Sequence, residues 1–317
     1  MRLSYSCNRL LLKKSSKLFD IDEVKAPGPD GYSSGFFKAA WPILGEEVTR
    51  AIMDFFVTGR LLKQVNSTLI SLLLRCKIQL WWQNFGLSHA VMYFIRSLLR
   101  CALKVDLRKA YDAVEWDFMS AVLKLFGFPE RFILWIEECV TTPSFSVCLN
   151  GSPHGFFKGA KGLRQGDPMS PYLFVLVMEV LNLILQQLIE QDGGFSYHWR
   201  CDELHLYQLG FADDVLLFSR ADMASVLIFK RGLATFAGLS GLHVNLQKSH
   251  LILSRLADGD RDTLLSILDF REGLLPLRYL RLPLLASRLS IADYKPILLK
   301  IDSRIKGLDE IMLSFAG

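Results

Sequence analysis

The chain has 317 residues, of which 51% are apolar, and it carries 37 basic against 32 acidic residues for a net charge of +5. This apolar content excludes a disordered chain, and the length allows one large domain or two to three subdomains that share a core. The mild basic excess permits a polyanionic partner without requiring one.

No secretory signal is apparent, although the first 19 residues are basic and free of acids, as in an organellar transit peptide. The longest apolar stretch, residues 172–189, is interrupted by Glu179 and three amides, which predicts a buried helix rather than a membrane span. The six cysteines include no Cys-x-x-Cys pair, which predicts reduced thiols. We therefore expect an intracellular protein of the nucleus or the cytoplasm.

The N-terminal region begins with a Pro/Gly loop over residues 25–32. From Ser33 to Phe56 apolar residues recur at helical spacing, and we expect their aromatic side chains to pack in a core. Residues 66–74 are typical of a strand.

The next informative segment is a short apolar strand over residues 102–107 that carries one acid, Asp106. Two helices and a strand with a turn are predicted to follow, over residues 115–126, 131–139 and 145–151. Residues 161–174 are the next element, whose glycines permit the close approach of a nucleic-acid backbone or base. Pro168 and Pro171 mark the start of a long apolar helix over residues 170–189.

Residues 209–218 place two acids, Asp213 and Asp214, between two short apolar runs. The runs favour buried strands, so the acids are predicted at the tip of a tight hairpin. Taken alone, the pair favours ordinary turn chemistry over a functional site, because Asp tolerates turn geometry and prefers solvent. A helix over residues 224–237 and a turn over residues 238–248 follow.

If Asp106 lies on a strand next to this hairpin, three carboxylates meet. Confined acids repel each other, and a divalent cation offsets their charge. The arrangement suits phosphoryl transfer with two ions, one activating an attacking hydroxyl and one steadying the leaving group.

Three motifs in this order resemble the reverse transcriptase domain of plant LINE-type non-LTR retrotransposons. They are Lys109-Ala110-Tyr111-Asp112, Arg164-Gln165-Gly166-Asp167-Pro168 and Phe211-Ala212-Asp213-Asp214. The resemblance extends to residues 25–31 and 313–317. It implies an α+β right-hand polymerase fold with a mostly antiparallel palm sheet, and it implies an RNA template, a DNA primer and deoxynucleotides as partners, without a membrane.

The resemblance also implies roles for individual residues. Asp106, Asp213 and Asp214 would hold two Mg²⁺ ions, for which Mn²⁺ is a substitute. Tyr111 would exclude a ribose 2′ hydroxyl, and the nucleotide and template would meet the loop that contains Arg164, Gln165, Gly166 and Pro168. Lys248 matches a lysine that protonates the leaving pyrophosphate, although an ordinary surface lysine is an equal alternative.

The same resemblance sets the expected domains. Residues 1–19 are an atypical basic N-terminus, 20–75 partial fingers, 76–101 an unmatched segment in place of the remaining fingers, 102–255 the palm and 256–317 the start of a truncated thumb or connection. Arg281 stands where the family has glycine, which disfavours normal primer positioning.

Two hypotheses about function follow. The first is an RNA-directed DNA polymerase, and the second is a catalytically inactive retrotransposon remnant that at most binds nucleic acid. A different two-metal phosphotransferase would leave the loop at residues 164–174 unexplained.

Overall fold

The computed structural model describes residues 32–63, 66–71, 101–149, 152–199, 201–253, 258–273, 277–279 and 282–284. The helices are α1 (Ser34–Thr58), α2 (Ala110–Ala113), α3 (Trp116–Leu125), α4 (Glu130–Thr141), α5 (Ser170–Asp192), α6 (Met223–Ser240) and α7 (Asp258–Leu268). The strands are β1 (Ser67–Ser71), β2 (Cys101–Asp106), β3 (Ser144–Leu149), β4 (Ser152–Lys158), β5 (Gln208–Phe211), β6 (Asp214–Phe218), β7 (His250–Leu253), β8 (Arg271–Glu272), β9 (Leu277–Tyr279) and β10 (Leu282–Leu284).

The described residues form two compact units. The first contains those up to residue 71 and those from 111 to 177, and the second contains those from 101 to 110 and from 178 onward. The predictions for residues 1–31, for the segment 76–100 and for Arg281 lie outside the described residues.

Helix α1 of the first unit begins at Ser33, whose hydroxyl accepts a hydrogen bond from the N–H of Phe36, and ends at the left-handed Gly59. The predicted helix is confirmed, but the expected core position is wrong for the aromatic Phe36, which is 41% exposed, and Ile43 is 80% exposed. In the last turn, the Phe56 ring lies edge-on to Trp135 of α4 with centroids 4.9 Å apart.

The sheet of the first unit has the order β1-β3-β4, with β1 parallel and β4 antiparallel to β3. The β3–β4 register shifts between Phe145 and Val147, and Gly155 has a φ of 65° there. A β-bulge with a left-handed glycine accounts for both observations. The edge strand β4 exposes Phe156 to 78%.

The larger sheet of the second unit has the order β5-β6-β2-β7-β8, and β9 and β10 form a separate two-stranded sheet. Its central strand β2 pairs antiparallel with β6 and β7, and its apolar residues are fully buried, as the short apolar run predicted. The described sheets pair mostly antiparallel and combine with helices, so the predicted α+β class is confirmed.

Gly232 lets α6 pack closely on α5 within the second unit, because a Cβ at this position would overlap the Leu185 side chain. The sequence predicted that this helix ends before Gly238, and that boundary is wrong. The helix continues to Ser240, and Gly241 ends it with a φ of 76°, the left-handed geometry that glycine adopts without strain.

Helix α5 is, among the described helices, the one long and apolar enough to cross a membrane by length and composition. Core helices meet the same two criteria, and the fully buried Leu181 and Leu185 agree with the predicted core helix. Cys101, Cys139 and Cys201, the cysteines whose side chains the structure describes, are free thiols. Burial raises the pKa of Cys101 to about 12, so this thiol stays protonated.

Candidate active site

Asp106 ends β2 in the centre of the larger sheet and lies directly opposite Asp214 of β6. Its N–H donates to the Ser249 hydroxyl at 3.1 Å, and its carbonyl accepts from the Asn245 N–H at 2.8 Å. The backbone that carries this carboxylate is therefore fixed on both sides. The prediction that the strand with Asp106 neighbours the acidic hairpin is confirmed.

The hairpin β5–β6 closes at the pair Phe211 and Asp214, which leaves Ala212 and Asp213 as a two-residue turn. Ala212 has a φ of 53°, a left-handed backbone that costs a residue with a Cβ about 1–2 kcal/mol. Asp213 is exposed at the turn, whereas Asp214 is half-buried as the first residue of β6. Directly opposite residues project from the same face of a sheet, so Asp106 and Asp214 share one face.

Lys104 is a charged neighbour of this group that the sequence interpretation missed. Its Nζ lies 4.0 Å from Asp214 Oδ1, and its side chain is only 13% exposed. The sequence held a signal for this contact, because Lys104 and Asp106 are charged residues two positions apart in an apolar strand and therefore share one face. In the structure they are the two half-buried positions of β2.

The environment of Asp214 raises the pKa of its carboxyl group above the ordinary value. Burial is the largest cause that raises the pKa of Asp214, the Lys104 ammonium lowers it, and the carboxylates of Asp213 and Asp106 raise it further. The charges of Lys104, Asp213 and Asp106 therefore all act on Asp214.

The chemistry of this donor set fits a divalent cation, since Mg²⁺ is held by carboxylate oxygens. Among the described residues, no three Asp, Glu, His or Cys side chains are closed around a common point as metal ligands. Lys104 instead supplies the positive charge beside Asp214.

Lys248 lies in the turn that anchors Asp106, with its N–H donating to the carbonyl of Asn245 at 3.0 Å. Its side chain is exposed. The structure therefore gives Lys248 a place near the backbone of the acidic strand.

The remaining candidate residues belong to the first unit, where the loop before α5 meets α2. The Leu163 N–H donates to the Tyr111 carbonyl at 2.6 Å, and Gln165 Nε2 donates to Asp112 Oδ1 at 3.3 Å. The Tyr111 ring stacks on Phe174 with centroids 4.6 Å apart. Gln165, Gly166 and Pro168 are exposed on this loop.

Gly162 makes the close approach of the loop possible. It has a φ of 93°, and a Cβ there would lie 2.8 Å from the Asp112 carbonyl oxygen. Its own carbonyl accepts a hydrogen bond from Trp116 Nε1 at 2.8 Å. Any side chain at this position would push the loop away from α2.

Arg164 is held by contacts inside the first unit. Its guanidinium pairs with Asp167 at 2.9 Å and donates to the Cys139 carbonyl at 3.3 Å and to the Thr68 hydroxyl at 3.4 Å. The side chain thereby links the loop to α4 and β1. Contact of Arg164 with nucleotide or template stays a prediction.

Comparison with known proteins agrees with these motifs. Residues 59–282, which include both groups of candidate residues, match the family described as "Reverse transcriptase (RNA-dependent DNA polymerase)". The "Retrovirus-related Pol polyprotein from type-2 retrotransposable element R2DM" of Drosophila melanogaster is 27% identical over 169 residues, which cover 53% of this chain and 15% of that protein.

Two further relatives match different lengths of the chain. The "Transposon TX1 uncharacterized 149 kDa protein" of Xenopus laevis is 22% identical over 72% of this chain and 21% of its own length. An uncharacterized mitochondrial protein of Arabidopsis thaliana is 41% identical over 66 residues, 21% of this chain and 54% of that protein.

Among solved structures, a telomerase of Candida tropicalis truncated from its C-terminal domain is similar with a TM-score of 0.42 and 11% identity, over 76% of this chain and 46% of that one. The family match spans most of the chain and contains every candidate residue. The chain therefore belongs to the reverse transcriptase family, with relatives among the proteins of retrotransposable elements.

Proposed function

We propose that the chain is an RNA-directed DNA polymerase domain that derives from a plant LINE-type non-LTR retrotransposon. It would extend the 3′ hydroxyl of a DNA primer with deoxynucleotides on an RNA template. The observation that carries this proposal is the pairing of Asp106 with Asp214, next to Asp213 on the turn, in a chain of this family.

In this proposal Asp106, Asp213 and Asp214 hold two Mg²⁺ ions, for which Mn²⁺ substitutes. The ions would activate the primer hydroxyl and stabilise the charge on the leaving pyrophosphate. The chain contributes a rigid support, because the β2 backbone at Asp106 is hydrogen bonded to Ser249 and Asn245. Rigid support keeps reacting groups in line.

The loop residues would act on the nucleotide and the template. Tyr111, fixed against Phe174, would block a ribose 2′ hydroxyl, and the exposed Gln165 and Gly166 would pack against the new base pair. Pro168 would line the same surface.

Two basic residues complete the proposal. Arg164 would act as a positioning residue, because its guanidinium already bonds the loop to its own unit. Lys248 would protonate the leaving pyrophosphate.

The domain division is also a proposal. Residues 102–255 would form the palm, 20–75 part of the fingers, and 76–101 a segment in place of the remaining fingers. Residues 256–317 would begin the thumb or connection, after an atypical N-terminus at 1–19. Because the chain spans 15% and 21% of the two longer relatives, the activity and partners of the whole protein are included in this proposal.

The test is primer extension on a poly(A) template with oligo(dT), Mg²⁺ and labelled dTTP, after circular dichroism has confirmed folding. Asp213→Ala is expected to abolish extension while RNA binding stays near that of the wild type. Asp262→Ala, which removes an exposed acid on α7, is the matched control and should extend normally. Equal extension by Asp213→Ala and wild type would contradict the assignment. A folded wild type that binds RNA but does not extend, where an active relative does, would favour the inactive remnant.

A further inference from the structure

We infer that Lys104 is a resident counter-ion of the acidic site, which competes with a divalent cation for Asp214. This inference rests on the proposed metal site. The inference adds that the Lys104 ammonium offsets part of the negative charge of the acids before any metal binds. Metal binding would then break the ion pair between Lys104 and Asp214.

The register of the sheet puts the ammonium next to the acids. Lys104 and Asp106 are two residues apart on β2, so their side chains project from the same face. Asp214 lies opposite Asp106 on β6, and Lys104 reaches diagonally across to it, with Nζ 4.0 Å from Oδ1.

Burial makes this contact persistent. The Lys104 side chain is 13% exposed, and the residue lies between Leu216 of β6 and His250 of β7. With 13% of its side chain exposed, Lys104 holds its ammonium closer to Asp214 than a fully exposed surface lysine would. Within the described part of the chain, the recorded ion pair of Lys104 is the one with Asp214.

The charges then determine the effect on metal binding. Three neighbouring carboxylates repel one another, and the ammonium offsets part of this repulsion when no metal is present. A divalent cation that binds Asp214 meets this same positive charge. The metal must therefore exchange with Lys104, which weakens its affinity and lets the strands pair without metal.

The experiment measures the binding of Mn²⁺ to the full chain in the absence of nucleotide. The readout is isothermal titration calorimetry, or the loss of the electron paramagnetic resonance signal of free Mn²⁺. Lys104→Met removes the charge and keeps the apolar stem, whereas Lys104→Arg keeps the charge. Lys124→Met removes an exposed lysine of the first unit and is the matched control. Asp106→Asn identifies the binding that belongs to the acidic site.

Lys104→Met is expected to bind Mn²⁺ about fivefold more tightly than wild type, as the loss of one partly screened ion pair would give. Lys104→Arg and Lys124→Met should bind as wild type does. In EDTA, the melting temperature of Lys104→Met should fall below that of wild type, and Mn²⁺ should restore it. If Lys104→Met does not fold, the shorter Lys104→Gln takes its place.

The outcomes separate the two proposals. The role of Lys104 is overturned if folded Lys104→Met binds Mn²⁺ within about twofold of wild type, or more weakly. The proposed metal site would stand in that case. Mn²⁺ binding that survives Asp106→Asn, or is absent from every variant, overturns the metal site and this inference with it.

Discussion

Asp106 and Asp214 lie directly opposite each other on antiparallel strands, with the Lys104 ammonium 4.0 Å from the second of them. The sheet thus brings like charges together at its centre, where Asp214 is half-buried. Such an arrangement opposes folding unless a cation compensates it. Stability and ion binding should therefore be coupled at this site.

The first prediction concerns pH. Burial first, and then the neighbouring acids, raise the pKa of Asp214 above its ordinary value of 3.8, against the effect of Lys104. The neutral form of Asp214 contributes its full stability at pH values below the ordinary pKa. This contribution is lost as the pH rises through the raised pKa of the folded state. Asp214→Asn in EDTA should therefore melt above wild type at pH 7, by about 1–3 °C, and this gain should shrink toward pH 4.

The measurement is a series of thermal melts between pH 4 and pH 8. Asp262→Asn on α7 controls for the loss of one exposed negative charge. A gain for Asp214→Asn that grows as the pH falls would contradict the sign of the shift.

The turn of the acidic hairpin gives the second prediction. Ala212 has a φ of 53°, which glycine adopts without strain, so Ala212→Gly should stabilise the fold by about 1 kcal/mol. Ala234→Gly, at an exposed helical position of α6, should instead destabilise it by about 1 kcal/mol. Urea unfolding of both variants measures the contrast. Equal destabilisation by the two changes would exclude a left-handed Ala212.

A pair of glycines in the loop of the first unit separates backbone strain from steric conflict. Gly162 and Gly166 have φ values of 93° and 94°, but a Cβ meets the Asp112 carbonyl at 2.8 Å in the first case and nothing within 4 Å in the second. Gly166→Ala should cost about 1–2 kcal/mol from the backbone alone. Gly162→Ala should cost at least about 1 kcal/mol more, because α2 or the loop must move. If the unfolding free energies of Gly162→Ala and Gly166→Ala agree within error, α2 moves to accommodate the added methyl group at no measurable cost.

Arg164 gives the fourth prediction. Its bonds to Asp167, Cys139 and Thr68 lie inside the first unit, so Arg164→Ala should destabilise the fold by about 1–3 kcal/mol. A double-mutant cycle with Asp167→Ala should show coupling, since the two charges pair at 2.9 Å. Additive losses of unfolding free energy would show that Arg164 and Asp167 do not stabilise the fold as a pair. A loss of RNA affinity in Arg164→Ala without a loss of stability would favour direct contact of Arg164 with the template.

The local part of this architecture was predictable from the sequence. The strand with Asp106 and the hairpin with Asp213 and Asp214 stood out because apolar runs of strand length flank the acids. The long helix α5 followed from its start after Pro168 and its apolar length.

The non-local part was not predictable in the same way. The Lys104 ion pair depends on the register between β2 and β6, and a local sequence pattern does not reveal the register of two strands that lie far apart in the chain. The partners of Arg164 come from β1 and α4 for the same reason. The exposure of Ile43 on α1 shows that helical spacing of apolar residues does not decide which helix face is covered.

Among the described residues, the three-stranded and five-stranded sheets differ in their edge strands. The five-stranded sheet ends in the short β5 and β8, which offer few unpaired backbone groups, whereas β4 is a longer edge with Phe156 exposed. On β4 the bulge at Gly155 bends the ladder, and Pro153 has no N–H to donate. Gly155 and Pro153 therefore hinder the pairing of β4 with a strand of another molecule, the step by which β-aggregates grow. Replacing both would turn β4 into the most aggregation-prone edge of the described chain.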